Sequence, residues 1–200
     1  QDEEDSNSEF IITIWKTGEG LPANEVLDLK ETPDGYLWLG TYRGLVRFDG
    51  VRFQSFLTTP TGMRYGMEVS PLEIDTRGRL WLAPDQIGLV YLNDGNFLEV
   101  LTNRTVLRDR PVSLCSDGTN GLMWVDAVGR LGRVSIDNPN EALQIKGGGA
   151  SGSSQWMRDF KGKMWLANPR NLRIYQQGKW QEVAVPGSAT LVATPRRAGG

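Results

Sequence analysis

Histidine is missing from all 200 residues, and cysteine occurs once, at Cys115. Without an imidazole, the Ser-His and Cys-His pairs and the usual proton shuttle of hydrolytic enzymes cannot be assembled within this chain. A single cysteine cannot pair internally, which excludes a disulfide-stapled scaffold and leaves Cys115 as a small apolar core residue. An excess of charge is lacking too: 22 Lys and Arg against 24 Asp and Glu leave a net charge of −2. That balance gives no field to recruit a polyanion, so nucleic acid is set aside as a partner. No apolar run approaches the roughly 18 to 20 residues a membrane-spanning helix requires. Nor is a helical apolar stripe sustained anywhere.

The apolar content of 39% is enough to bury a core. The stretch DGYLWLGTYRGLVRFDG at 34–50 is echoed by RGRLWLAPDQIGLVYLNDG, TNGLMWVDAVGRLGRVSIDN and FKGKMWLANPRNLRIYQQG. Aligning the indoles of Trp38, Trp81, Trp124 and Trp165 gives spacings of 43, 43 and 41 residues. Within each unit apolar residues alternate over four to six positions between Gly, Asn, Asp or Pro, the mark of short strands and tight turns. Four strands per unit of about 40 to 50 residues, repeated, predict an all-β propeller of four-stranded antiparallel blades.

The first blade is expected over about 20–57, with strands near 25–31, 36–41, 45–49 and 52–57. The others are expected over about 67–101, 111–146 and 153–184, with strands near Val69, Trp81, Val90 and Phe97, near Leu114, Trp124, Val134 and Leu143, and near Trp156, Trp165, Ile174 and Trp180. Residues 190–200 align with the start of the first unit and predict the beginning of a fifth blade, so that the chain reads as the N-terminal part of a larger propeller. Phe10 to Trp15 alternate like a lone strand that closes the ring, which would remove an open sheet edge. The acidic 1–9 leader reads as disordered and suits a chain cut from a signal peptide.

Gly44, Gly88, Gly129 and Asn171 precede an apolar position between the second and third strands, which predicts a positive φ at that corner. Asp34-Gly35, Asn120-Gly121, Asp49-Gly50 and Asp94-Gly95 mark hairpin turns. Each repeated Trp is expected to fill the wedge between neighbouring blades. Gly40, Ala83 and Ala167 follow it as small residues that let backbones approach, whereas the third unit places Asp126 there.

Over 20–56 the sequence carries Gly20, Leu21, Pro22, Asn24 and Val26, then Asp34, Gly35, Leu37, Trp38, Gly40 and Thr41, then Gly44, Leu45, Arg47, Phe48, Asp49 and Gly50. This run resembles the two-component regulator propeller repeat; the later units keep the Trp and some glycines but lose Gly-Thr and the Arg-Phe-Asp-Gly ending. The resemblance implies a periplasmic sensing propeller, non-catalytic itself. It implies a following β-domain, a membrane span and a kinase, response regulator or cyclase on the same polypeptide. It also implies an oligosaccharide or other small ligand and allows a homodimer of the full-length protein. A structural or protein-interaction platform is the alternative. A third reading is a lyase, since the propeller lyases that open streptogramin rings are similar in period and Trp placement, but they work with histidine and a divalent metal.

Carboxylates recur six or seven residues before each Trp, at Glu31, Asp75, Asp117 and Asp159. Either they ligate metal or they accept turn N–H groups; their distribution over separate blades favours the turns, and no metal or other cofactor is expected. For a ligand, the loops entering each first strand and those joining the second and third strands share one face of a propeller. They carry Tyr42, Arg43, Arg64, Tyr65, Arg108, Asp109, Arg110, Asp126, Asn168 and Arg170. Aromatic rings beside Arg, Asp and Asn suit sugar hydroxyls and carboxylates. Tyr42, Arg43, Arg64, Tyr65, Asp126 and Arg170 are the strongest candidates.

Overall fold

A computed structural model describes residues 13–56, 68–85, 87–100, 109–148, 150–151 and 153–184. Among these, sixteen strands form four antiparallel sheets and no helix is present. The first sheet is β1 (Val26–Glu31), β2 (Leu37–Thr41), β3 (Gly44–Phe48) and β4 (Phe53–Phe56). The second is β5 (Val69–Ile74), β6 (Leu80–Pro84), β7 (Val90–Asn93) and β8 (Asn96–Glu99). The third is β9 (Pro111–Ser116), β10 (Gly121–Asp126), β11 (Leu131–Ser135) and β12 (Ala142–Ile145), and the fourth is β13 (Gln155–Arg158), β14 (Met164–Ala167), β15 (Leu172–Gln176) and β16 (Lys179–Val183). Each sheet is a simple meander in chain order, and the first strands β1, β5, β9 and β13 lie side by side. This is a β-propeller arrangement of four blades. Residues 10–12 and 190–200 of the expected closing strand and fifth blade lie outside the described residues, and 13–16 form no ladder.

The core lies in the three seams between blades. Trp38 packs with Val69, Leu72, Leu80 and Leu82 in the first seam. Trp81 packs with Leu114, Leu122, Trp124 and Val134 in the second. Met123 and Val125 pack with Trp156, Met164 and Leu166 in the third. At Gly40 the approach is so close that a Cβ would overlap the Val69 carbonyl oxygen of the next blade.

The ladders correct one expectation. The first turn of each blade is closed by Thr32 N–H to Tyr36 O, Asp75 N–H to Arg79 O, Asp117 N–H to Gly121 O and Asp159 N–H to Lys163 O. Two residues beyond that closure stand Trp38, Trp81 and Trp165, but in the third blade Met123. Trp124 is therefore one residue out of step with the other indoles, and a step of one along a strand turns the side chain to the opposite face. Trp38 and Trp81 point to the following blade, whereas Trp124 points back and shares the second seam with Trp81. Its counterparts are Leu39, Leu82 and Leu166. The extra volume is accommodated by its cross-strand partner Gly132, where any Cβ would overlap the indole. Trp165 keeps the expected register but is only half-buried.

The turn in front of Trp124 shifts accordingly. Gly121 opens β10 and is not in the left-handed region; Gly118 is, with φ 78°. At the second corner Gly44, Gly88 and Gly129 have the expected positive φ, of 124°, 99° and 87°, but Asn171 does not. There the Asn168 side chain accepts the N–H groups of Arg170 and Asn171, both at 2.9 Å, and closes the corner without a left-handed residue.

The carboxylates before the indoles are turn acceptors with one further task. Asp75 takes the N–H groups of Arg77 and Arg79 and the Trp81 indole N–H at 2.7 Å. Asp159 takes those of Lys161, Lys163 and, at 2.9 Å, the Trp165 indole. In the first blade this position is Thr32 and not Glu31, and its hydroxyl accepts the Trp38 indole N–H at 3.0 Å. Asp117 has no indole to serve and instead takes Arg133 Nε at 2.8 Å. The Trp124 indole nitrogen is buried without a partner.

Candidate ligand-binding face

The β2–β3 corner and its counterparts lie at the end of the blades where each chain link enters the next first strand. Thr41, Pro84, Asp126 and Asn168 are the register-equivalent residues that open these corners. Thr41 donates its hydroxyl to Gly44 O at 2.8 Å and accepts from Arg43 N–H at 3.1 Å, so Tyr42 and Arg43 form an exposed two-residue tip. Tyr42 is 46% exposed. Pro169 and Arg170 form the equivalent exposed tip in the fourth blade, above the Asn168 turn.

Asp126 does not break the small-residue rule: Val125 occupies the small-residue slot, and Asp126 is the corner residue. It is fully buried. One carboxylate oxygen accepts Val128 N–H at 3.1 Å and Arg130 N–H at 2.8 Å, and the other accepts Arg130 Nε at 2.6 Å. Arg130 reaches on to Asp109 in the loop before β9. Beside it, Arg110 pairs with Glu68 of the second blade at 2.9 Å. The structure thus joins Asp126 and Asp109 through Arg130, and Arg110 to Glu68 across a seam. Among the described residues no hydrogen bond or ion pair joins these groups to Tyr42, Arg43 or Arg170, while Arg64, Tyr65 and Arg108 lie outside the described residues.

Arg130 and Glu68 escaped the sequence reading. For Arg130 the signal was present, since an Asp and an Arg four apart around a corner glycine can meet across the turn. Nothing local identifies Glu68, whose partner is 42 residues away.

Nearer the axis, side chains of one blade cap the strand edge of the next. Asp28 accepts Leu72 N–H at 2.7 Å, Glu73 accepts Ser116 N–H at 3.2 Å, and Ser113 accepts Trp156 N–H at 3.0 Å. Lys30 lies 2.8 Å from Glu73. Burial pulls the Lys30 pKa down, but the Glu73 carboxylate outweighs it and holds the ammonium above its ordinary range. Among the described residues no group of three or more His, Cys, Asp or Glu side chains is arranged to hold a metal ion.

Residues 20–43, which span β1, β2 and the tip at Tyr42 and Arg43, match the two component regulator propeller family. The chain carries a two-component regulator propeller repeat. In a second comparison, 54 residues, 27% of this chain, are 35% identical to histidine kinase P4 of Formosa agariphila, of which they cover 4%. Among solved structures, a catalytically inactive virginiamycin B lyase from Staphylococcus aureus with quinupristin aligns with a TM-score of 0.66 at 15% identity, over 85% of this chain and 59% of the lyase. The extracellular domain of a protein assigned as a one component system in B. thetaiotaomicron aligns with a TM-score of 0.63 at 14% identity, over 80% of this chain and 25% of that one. At these identities the structural likeness is one of fold. The chain spans less than two thirds of the length of each of these relatives.

Proposed function

We propose that this chain is part of the extracytoplasmic, non-catalytic sensing propeller of a two-component signal-transduction protein. The observation that carries the reading is the two-component regulator repeat at 20–43, whose second strand ends in the exposed Tyr42 and Arg43 tip. The kinship of the P4 segment and the extracellular setting of the B. thetaiotaomicron neighbour support it. The absence of histidine from the sequence weighs against a lyase of the histidine-dependent kind. A small ligand, an oligosaccharide in the first instance, docks on the corner face through Tyr42, Arg43 and Arg170, while Asp126 and Arg130 brace the third-blade corner. Signalling then requires that the ligand favour one packing of the propeller against its following domain over another.

Thermal-shift screening of the complete extracytoplasmic region against an oligosaccharide panel tests this. A ligand at about one hundred times its Kd adds about 2.7 kcal/mol, a rise of roughly 5 to 10 °C for a unit of this size. The paired change Tyr42→Ala and Arg43→Ala should abolish the rise without moving the unliganded Tm. No shift with any sugar class refutes the proposal.

A further inference from the structure

On the opposite face, where the β1–β2 and β3–β4 turns emerge, a cavity of about 330 Å³ opens between the third and fourth blades. Its apolar lining is Met123, Met164 and Tyr175, and Arg133, Lys161 and Gln177 stand around it. The register explains both features. Met123 occupies the place where the sister blades set a Trp, so the indole volume is missing from this part of the seam. Facing that place across the ladder are Arg47 in the first blade, Tyr91 in the second and Arg133 in the third. Arg47 lies over the Tyr36 ring at 4.2 Å, and Tyr91 stacks on Trp81 at 4.9 Å. Among the described residues no aromatic ring lies beneath Arg133. Its Nε is held by Asp117, and among the described residues its two terminal nitrogens have no hydrogen-bond partner.

Asp117 also lines the notch, together with Lys163, and both it and the nearby Asp159 are already engaged. Asp117 accepts from Thr119, Gly121 and Arg133, and Asp159 accepts from Lys161, Lys163 and Trp165. The comparable notch between the first and second blades is walled by Trp38 and rimmed by Asp34 and Asp94. Its arginines are committed, Arg79 to Asp75 and Ile136 O and Arg77 to Asp137. An anion is therefore disfavoured in that notch and favoured in the other.

We propose that the notch between the third and fourth blades is a binding site for a small ring-bearing carboxylate, its ring on Met123, Met164 and Tyr175 and its carboxylate on Arg133 and Lys161. Thioethers make favourable contacts with aromatic ring edges, and a guanidinium with two free terminal nitrogens offers a paired donor set for a carboxylate. The site is independent of the corner face and stands or falls apart from it.

Benzoate is the probe and benzyl alcohol its neutral counterpart, read by the methyl signals of 13C-methyl-methionine protein. Benzoate is expected to shift Met123 and Met164 saturably at low millimolar concentration, leaving Met157, on the other face of β13, unmoved; benzyl alcohol at the same concentrations should shift neither. Met123→Trp, which refills the seam, should abolish the response. Lys161→Gln, on an exposed turn that needs no refolding of the seam, should weaken it about 3- to 10-fold. No shift up to about 50 mM, equal binding of benzyl alcohol, or binding that survives Lys161→Gln unchanged overturns the proposal.

Discussion

The pairing of Trp124 with Gly132 makes a prediction that reaches the centre of the register argument. In the first and second blades the same cross-strand pair is Leu39 with Val46 and Leu82 with Val90, and in the fourth it is Leu166 with Arg173. The third blade has exchanged Leu and Val for Trp and Gly, keeping the seam filled with a different division of volume. Gly132→Val alone drives its Cβ into the indole and to 2.7 Å from Leu143 O, with both residues buried. Overpacking of this kind costs about 1 to 3 kcal/mol. Trp124→Leu alone leaves a void facing Trp81. Its cost of about 1 to 3 kcal/mol is reduced because the deleted indole N–H was buried without a partner.

Together the two changes recreate the Leu and Val pair of the first and second blades. The double variant should lie within about 1 kcal/mol of the parent, the residue of strain coming from Leu143 O, so that the coupling is roughly 1 to 6 kcal/mol in favour of the pair. Urea and thermal melts followed by far-ultraviolet circular dichroism measure it, each kcal/mol moving Tm by about 2 to 4 °C at this chain length. Additive losses would place Trp124 and Gly132 out of contact. They would refute the assignment of Met123, not Trp124, to the indole position.

Further consequences concern single contacts. Gly40→Ala pushes a methyl into the Val69 carbonyl across the first seam and should cost about 1 to 3 kcal/mol; an unchanged Tm would mean that the blades do not approach there. Asp75→Ala strands the buried indole N–H of Trp81 and two turn amides and should cost about 2 to 4 kcal/mol, with Asp75→Asn intermediate, by the same melts. For Asp117, burial pushes the carboxyl pKa up, but hydrogen bonds from Thr119 and Arg133 outweigh it and hold the group below the ordinary carboxylate range. Because the folded pKa is the lower one, its contribution is full above about pH 5 and is lost as pH falls through the folded value. The stability difference between the parent and Asp117→Asn should therefore shrink on acidification; a constant difference refutes it. Burial pushes the Cys115 thiol up to about 12, so the native protein should resist alkylation at about pH 8 and react only in denaturant, as mass spectrometry would show.

The blades were legible because each level of the sequence agreed. Alternation, turn glycines and the 40-residue period all mark the same strands, and the positions expected in the four blades fall within observed strands, whereas 13–15 of the expected closing strand join no ladder. The third blade was misread by one residue because its largest side chain was taken as the marker. Turn closure is the better marker, as the backbone pairing of Asp117 with Gly121 is what fixes the face of every residue that follows. A trace of this was in the sequence: Asp117 stands seven residues before Trp124, whereas Asp75 and Asp159 stand six before theirs. The same slip made Asp126 look exceptional. Asn171 was misjudged for another reason, since a side-chain acceptor at Asn168 can do the work of a left-handed residue. The cross-seam partners Glu68, Glu73 and Asp28 have no local signature, because what they satisfy lies more than 40 residues away.

Those cross-seam contacts explain why repeats that share a fold have drifted apart in sequence. A first strand exposes an edge of N–H groups toward its neighbour, and such an edge must be satisfied or covered. Asp28 and Ser113, at the same register position in the first and third blades, each accept the N–H of a residue that is itself equivalent, Leu72 or Trp156. The second blade has an irregularity between Val69 and Leu72 at that point, with Pro71 inside it, and there the acceptor moves along the strand to Glu73, which takes Ser116 N–H instead. Each seam is thus solved as a pair of faces and not as a copy of the repeat. Within the third blade the same matching holds across the ladder, where Trp124 faces Gly132 and Met123 faces Arg133. The turn closures are shared by all four blades, whereas each seam is packed by its own set of side chains.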